Sequence, residues 1–186
     1  MFKMRKYEML GFFIIPLISA LLLLIFWLIP SNFIIDGIRP TTNSLWQVGK
    51  LMFISVLIYS VIEYFIFGRE FDNFLFSKAA TLFIAPIVFM LSSYVIDILL
   101  GGASFNNHLI CYILGLALGQ YISYYILRVG YNFKLMNAYA LFGIVLMMGL
   151  YISFGRIVDT FQNPIYRPME QYQEHIRYQQ ELMDLI

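Results

Sequence analysis

The chain has 186 residues, of which 61% are hydrophobic and only 12% are charged, and its formal net charge is +1 at pH 7. So few charged residues leave too little polar surface to coat a water-soluble globule of this size. A net charge near zero also gives no indication of a nucleic-acid partner. The composition therefore predicts an integral membrane protein that has the lipid bilayer as its partner and binds no nucleic acid.

Five apolar stretches are long enough to cross a membrane, which takes roughly 20 helical residues at about 1.5 Å each. Backbone polar groups within lipid must be paired inside their own segment, and the alternating pattern of a barrel strand is absent, so we expect α-helices. The predicted spans are residues 10–30, 51–68, 79–100, 109–127 and 138–155. The predicted fold class is thus an all-α integral membrane protein with a bundle of five transmembrane helices.

Lysine and arginine residues near the ends of the spans predict the orientation, because they accumulate on the cytoplasmic side of a membrane. One side carries Lys3, Arg5, Lys6, Arg69, Lys78, Arg128 and Lys134. The other side carries Arg39, Lys50, Arg156, Arg167 and Arg177. We therefore expect the N-terminus in the cytoplasm and the C-terminus outside.

The entry to the second span carries a group of polar residues. Ser44 and Gln47 have the spacing of a capping box, in which each side chain satisfies a backbone donor that the first helical turn leaves unpaired. Trp46 would then lie at the membrane interface, where an amphipathic ring is favoured. The functional alternative is a polar pocket that faces outward. Its members would be Asn43, Trp46, Lys50, Asn106, Asn107 and His108.

Ionisable and amide side chains within the spans suggest either ion pairs or a transport path. Glu63 and Lys78 flank the turn between the second and third spans, so an antiparallel hairpin would place them at similar depth and favour an ion pair. A proton or cation relay through Glu63 is the alternative. Asp97 is expected at the level of Lys50, and the same pairing is predicted there. Gln120 is expected to form a hydrogen bond between helices.

Two further features concern packing and the C-terminus. Gly115 and Gly119 form a GxxxG motif, which permits close approach either to another helix of this chain or to a second copy. After the transmembrane domain, residues 1–155, the composition changes to a polar C-terminal tail, residues 156–186. We expect the tail to be partly helical, either as a solvated terminal helix or as a docking helix for a partner.

Short motifs follow one another from the second span to the fourth. They read Ser44-x-Trp46-x-x-x-Lys50, Ser60-x-x-Glu63-Tyr64-Phe65, Ser77-Lys78-Ala79 and Gln120-Tyr121-Ile122-Ser123-Tyr124. Over about residues 6–128 the chain resembles a family of small bacterial multi-pass membrane proteins that is catalogued only as a domain of unknown function. In that family the first motif reads Asn-Glu-Ser-x-Trp-Glu-His. Here the same stretch is Thr42-Asn43-Ser44-Leu45-Trp46-Gln47-Val48.

The resemblance implies a bacterial cell membrane as the location, and it brings no assigned activity. The family's carboxylates and histidine in the first motif could bind a metal or move protons, whereas the amides and valine of this chain cannot. We therefore expect the ionisable chemistry of that motif to be absent here.

No catalytic motif is found, so we predict that the chain is not an enzyme and uses no cofactor. Phosphate-binding glycine loops, paired cysteines at metal spacing and a serine elbow are all missing from the sequence. The first functional hypothesis is a non-catalytic membrane subunit or scaffold, which would bind a membrane-protein partner through its GxxxG surface or its tail. The alternative is a small transporter or channel component, acting as a homo-oligomer. Its polar path would use Glu63, Asp97 and Gln120, provided that polar side chains converge on one interior seam.

Overall fold

The structure of the protein is a computed structural model that describes residues 2–30, 35, 38–40, 44–100, 104–129 and 135–153. Most of these residues belong to five long helices, and no strand occurs among them. The helices are α1 Phe2–Leu28, α2 Leu45–Ile66, α3 Phe74–Leu100, α4 Phe105–Val129 and α5 Leu135–Ser153. All five are long and apolar enough to cross a membrane, which confirms the predicted all-helical architecture at that level. The expected tail, residues 156–186, lies outside the described residues.

Each helix begins before the apolar run that predicted it. The difference is three residues in α5 and eight residues in α1, whereas the described ends agree with the prediction to within two residues. The first turns carry polar side chains, such as Glu8 in α1 and Lys50 in α2, which hydropathy excludes from a span but which a helical backbone accommodates. The earlier start matters most for α1, because it places Glu8 within the helix and inside the bundle.

Local chemistry defines both ends of α2. Ser44 is the N-cap residue, and its hydroxyl oxygen accepts a hydrogen bond from the Gln47 backbone N–H at 3.3 Å, which confirms the serine half of the predicted capping box. At the other end, a single 3-10 turn, Gly68–Glu70, leads into α3. A β-carbon on Gly68 would lie 2.8 Å from the Phe74 ring, so glycine permits the close approach of α3 at this reversal.

Successive helices run antiparallel. The start of α1, the end of α2, the start of α3, the end of α4 and the start of α5 therefore share one end of the molecule, which we call the N-terminal end. Contacts across the bundle fix this arrangement: Ser123 in α4 bonds to Glu8 in α1, and Asn137 in α5 accepts from the Phe76 N–H of α3 at 3.0 Å. At the opposite end, the ring centroid of Trp46 lies 4.8 Å from that of Tyr151 near the end of α5.

The GxxxG motif joins α4 to α3. A β-carbon on Gly115 would lie 2.5 Å from the Ala85 carbonyl oxygen, and one on Gly119 would lie 3.0 Å from the Ala85 β-carbon. The Thr81 hydroxyl donates to the Gly119 carbonyl oxygen at 3.0 Å across the same contact. Of the two predicted alternatives, the motif therefore packs against a helix of its own chain.

The helix α1 lies against both α2 and α4. A β-carbon on Gly11 would be 2.7 Å from the Tyr59 ring and 2.8 Å from the Gln120 side-chain nitrogen, so the absence of a side chain there lets α1 pack closely. Below this contact the interior is apolar, with Ile15 and Leu116 among the completely buried side chains. The faces of α1, α2 and α4 that meet here carry the candidate site.

Candidate functional site

Lys78 lies between two glutamates at the N-terminal end of the bundle. Its Nζ is 2.6 Å from Oε1 of Glu8 and 2.6 Å from Oε2 of Glu63. The exposed fractions of the three side chains are 3% for Lys78, 3% for Glu8 and 1% for Glu63. We call these three residues the Glu-Lys-Glu cluster. The predicted ion pair between Glu63 and Lys78 is confirmed, but it forms only part of a larger group.

Three helices supply one member each. Glu63 lies one turn before the end of α2, Lys78 lies in the second turn of α3, and the tight reversal at Gly68 brings these two turns together. The Lys78 ammonium also lies 5.5 Å from the centroid of the Phe74 ring, a cation–π contact on its own helix. Glu8 reaches the same point from the second turn of α1.

Glu8 was not among the predicted site residues. It follows the basic residues at the start of the chain and precedes the apolar run, so hydropathy left it outside the first predicted span. A signal was nevertheless present: Glu8, Gly11, Ile15 and Ser19 recur at intervals of three or four residues, which places them on one helical face. All four are buried, so this face of α1 packs against the rest of the bundle.

The carboxylates of Glu8 and Glu63 accept different numbers of hydrogen bonds. Oε1 of Glu8 accepts a hydrogen bond from Lys78 and another from the Ser123 hydroxyl at 2.8 Å. Glu63 has the ion pair with Lys78, which lacks hydrogen-bond geometry. Oε2 of Glu8 and Oε1 of Glu63 are buried and meet no hydrogen-bond donor in the described part of the chain. Two carboxylates and one ammonium leave the cluster with a formal charge of −1 when all three are ionised.

A second polar level lies about one helical turn further into the bundle. It contains Tyr59 of α2 and Gln120 of α4, which both lie against Gly11 of α1. The Tyr59 hydroxyl donates to the Tyr7 carbonyl oxygen at 2.7 Å. Within the described ranges, the buried side-chain oxygen of Gln120 has no hydrogen-bond partner, so the predicted hydrogen bond between helices is not found there. The reason is that Gln120 faces the glycine of α1, which offers no side-chain partner.

A third polar level joins α1, α2 and α4 through three hydroxyl groups. The Ser19 hydroxyl lies 2.7 Å from that of Ser55 and 2.6 Å from that of Tyr112. Because the Ser55 hydroxyl donates to the Leu51 carbonyl oxygen at 2.8 Å, it accepts from Ser19, and Tyr112 is then the donor to Ser19. The Ile15, Val56 and Leu116 side chains, all buried, belong to the apolar core, and Ile15 and Leu116 lie midway between the second and third levels along α1 and α4.

Lys50 and Asp97 do not pair, so that prediction is wrong. The Lys50 ammonium donates to the Arg39 carbonyl oxygen at 2.8 Å, and the Arg39 guanidinium in turn donates to the Ile29 carbonyl oxygen at 2.5 Å. Asp97 instead lies 3.0 Å from Nε2 of His108, with side-chain exposures of 24% and 21%. The expected depth did not imply contact, because Lys50 is buried whereas Asp97 and His108 are partly exposed, in the last turn of α3 and the first turn of α4.

No protein family, curated protein or solved structure matches this chain. The resemblance to the bacterial family of unknown function therefore stays a prediction, and the site must be interpreted from its own residues.

The described members of the predicted pocket at the entry to α2 have other neighbours as well. Trp46 packs on Tyr151, Lys50 bonds to the Arg39 carbonyl oxygen, and His108 pairs with Asp97. Asn43 lies outside the described residues, and Asn106 is exposed. The groups best suited to proton transfer are thus at the N-terminal end, where two buried carboxylates lie beside an ammonium and a hydroxyl.

Proposed function

We propose that this chain is a multi-pass protein of a bacterial cell membrane, with its N-terminus in the cytoplasm, and that its interior conducts a proton or small cation. The observation that supports this function is the convergence of buried polar side chains from α1, α2 and α4 on one interior seam. The members of this polar seam are Glu8, Ser19, Ser55, Tyr59, Glu63, Tyr112, Gln120 and Ser123. Lys78 of α3 closes the seam at the N-terminal end.

The spacing along α2 gives the length of the proposed path. Ser55, Tyr59 and Glu63 are four residues apart, so their side chains recur at steps of about 6 Å along the helix axis. From Ser55 to Glu63 the face extends about 12 Å at 1.5 Å per residue. That distance covers about two fifths of a hydrocarbon core of about 30 Å. Buried polar side chains at such regular depth are costly in lipid, and they support a function that requires them.

The apolar layer formed by Ile15, Val56 and Leu116 would act as the barrier of this path. A hydrophobic constriction between polar levels prevents water from forming a continuous column, and small movements of its side chains open or close it. Five helices barely enclose such a path, so we propose that the protein acts as a homo-oligomer.

A second candidate is a non-catalytic membrane subunit, which is favoured by the position of Asp97. Asp97 lies apart from the polar seam in a partly exposed pair with His108, so one of the three residues first assigned to transport is not on the path. A partner could not bind through the GxxxG motif, because Gly115 and Gly119 are covered by α3. It would have to use the exposed faces of α1 and α5 or the tail.

Flux measurements on purified protein in liposomes test the transport proposal. Vesicles with a pH-sensitive dye inside would be given a membrane potential, and proton entry would be followed in the presence and absence of Na⁺ and K⁺. We expect wild-type protein to conduct, Glu63→Gln to fall to the rate of empty vesicles, and Asp97→Asn to conduct like wild type. Asp97→Asn is the matched control, because it removes a paired carboxylate that lies off the seam.

Wild-type vesicles that are no more permeable than empty ones to H⁺, Na⁺ or K⁺ would contradict transport and favour the subunit. Native mass spectrometry in mild detergent would then compare the full chain with a chain that ends at Arg156. A stoichiometric protein partner lost on truncation would support the subunit and identify the tail as its docking element.

A further inference from the structure

The charges of the Glu-Lys-Glu cluster do not balance. Two carboxylates face one ammonium, and all three side chains are at least 97% buried. An ion pair that is removed from water is tolerated only when its charges and hydrogen bonds are fully compensated. The second carboxylate of this cluster has no such compensation from Lys78, which is already shared between the two glutamates.

Other charged groups do not supply the missing positive charge. Ser123, which contacts the cluster from α4, and Gln120, one turn deeper in the bundle, are uncharged, and the Tyr59 hydroxyl of α2 is bonded to a backbone carbonyl. From α5, the Asn137 side chain bonds to the backbone of Asp72 and Phe76 rather than to the cluster. The remaining charged side chains described at this end are all exposed: Arg5, Lys6, Arg69, Glu70, Asp72 and Arg128.

A metal cation is a poor candidate for the missing charge. Among the described residues no group of three or more histidine, cysteine, aspartate or glutamate side chains could hold one. The Lys78 ammonium already occupies the position between the two carboxylates, at 2.6 Å from each. A second cation at that point would be repelled by the charge of Lys78, whereas a proton needs only one free carboxylate oxygen.

Free carboxylate oxygens are present. Oε2 of Glu8 and Oε1 of Glu63 are both buried without a hydrogen-bond donor among the described residues. A buried acceptor that lacks a donor is costly, and a proton bound to one of these oxygens removes one such acceptor and the excess charge together.

We propose that the Glu-Lys-Glu cluster holds one exchangeable proton, shared between Glu8 and Glu63, when the protein is at rest near neutral pH. The proton comes from water and its uptake converts one carboxylate to a carboxylic acid, so that the cluster becomes electrically neutral. This inference names the ion of the proposed path and to that extent rests on the proposed function. The occupancy itself depends only on the cluster.

Infrared spectroscopy of the full chain in an ester-free detergent counts the protons directly. A protonated carboxyl group gives a C=O stretching band that carboxylates lack and that shifts in D₂O. We expect wild-type protein to show this band at neutral pH. Glu8→Gln and Glu63→Gln should each lose it, because the single remaining carboxylate is balanced by Lys78. Lys78→Met should double the band, since both carboxyls must then be neutral.

Asp97→Asn is the control and should leave the band unchanged, because Asp97 pairs with His108 outside the cluster. A wild-type spectrum without the band, or a band that survives both glutamine substitutions, would overturn the proposal. If Lys78→Met does not fold, the two glutamine variants decide alone. A band that behaves as expected in protein that conducts nothing would uphold the bound proton and refute transport. Conduction by a wild-type protein that lacks the band would support transport and refute the bound proton.

Discussion

Replacing Lys78 with methionine removes the only ammonium of the Glu-Lys-Glu cluster while it keeps most of the side-chain volume. Glu8 and Glu63 would then be two buried carboxyl groups that face each other with no positive charge between them. Removing one partner of a buried ion pair costs about 3–5 kcal/mol. The free energy of unfolding should fall by that amount, which corresponds to roughly a hundred- to several-thousand-fold lower ratio of folded to unfolded protein.

The assay is unfolding in mixed micelles of increasing dodecyl sulfate content, followed by circular dichroism. Lys6→Met is the matched control, because Lys6 is exposed at the same end of the bundle and its loss should change stability by less than about 1 kcal/mol. In Lys78→Met the second carboxylate has to take up a proton at neutral pH, which is costly. The variant that combines Lys78→Met with Glu8→Gln and Glu63→Gln needs no such proton and should therefore recover most of the loss. A Lys78→Met protein as stable as the Lys6→Met protein would refute the reasoning, because it would mean that water reaches the cluster.

Two further substitutions test the packing and the third polar level, again by unfolding in mixed micelles. Gly115→Ala should cost about 1–3 kcal/mol, because its β-carbon would meet the Ala85 carbonyl oxygen, whereas Gly149→Ala, which meets no atom within 4 Å, should cost nothing. Equal effects of the two would contradict the described contact of α3 with α4. Ser19→Ala should cost about 1–3 kcal/mol, because two neighbouring hydroxyls lose their partner, and Ser92→Ala, which bonds only within its own helix, should change little. A Ser19→Ala protein as stable as wild type would exclude a structural role for that level.

The number and type of the helices could be predicted from the sequence, because a run of about 20 apolar residues has few other structures available to it. Their starts could not. Hydropathy excludes charged residues such as Glu8 from a span, but the helix continues through them once another helix supplies a partner. For this reason Glu8, which completes the Glu-Lys-Glu cluster, was not predicted as a site residue.

Pairs of residues show the same limit. The Glu63 and Lys78 contact was predictable, because a short reversal forces the last turn of α2 against the first turns of α3. The proposed contact of Lys50 with Asp97 failed, since depth along a helix leaves its rotation undetermined, and His108 lies nearer across the turn between α3 and α4. Gln120 is buried, but the residue that it faces is Gly11, which has no side chain to bond to. The sequence does not show which residue a buried amide faces, so the missing hydrogen bond could not be predicted.

The order of Glu8, Glu63 and Lys78 along the chain bears on how the proposed membrane protein would be inserted into a bilayer. Glu8 and Glu63 are synthesised before Lys78, so a nascent chain that ends before α3 contains both carboxyl groups of the cluster without the ammonium that pairs with them. Neither α1 nor α2 supplies that ammonium. We expect these two helices to remain at the insertion machinery until α3 emerges, and the first three helices to enter the bilayer together once Lys78 has reached its two partners.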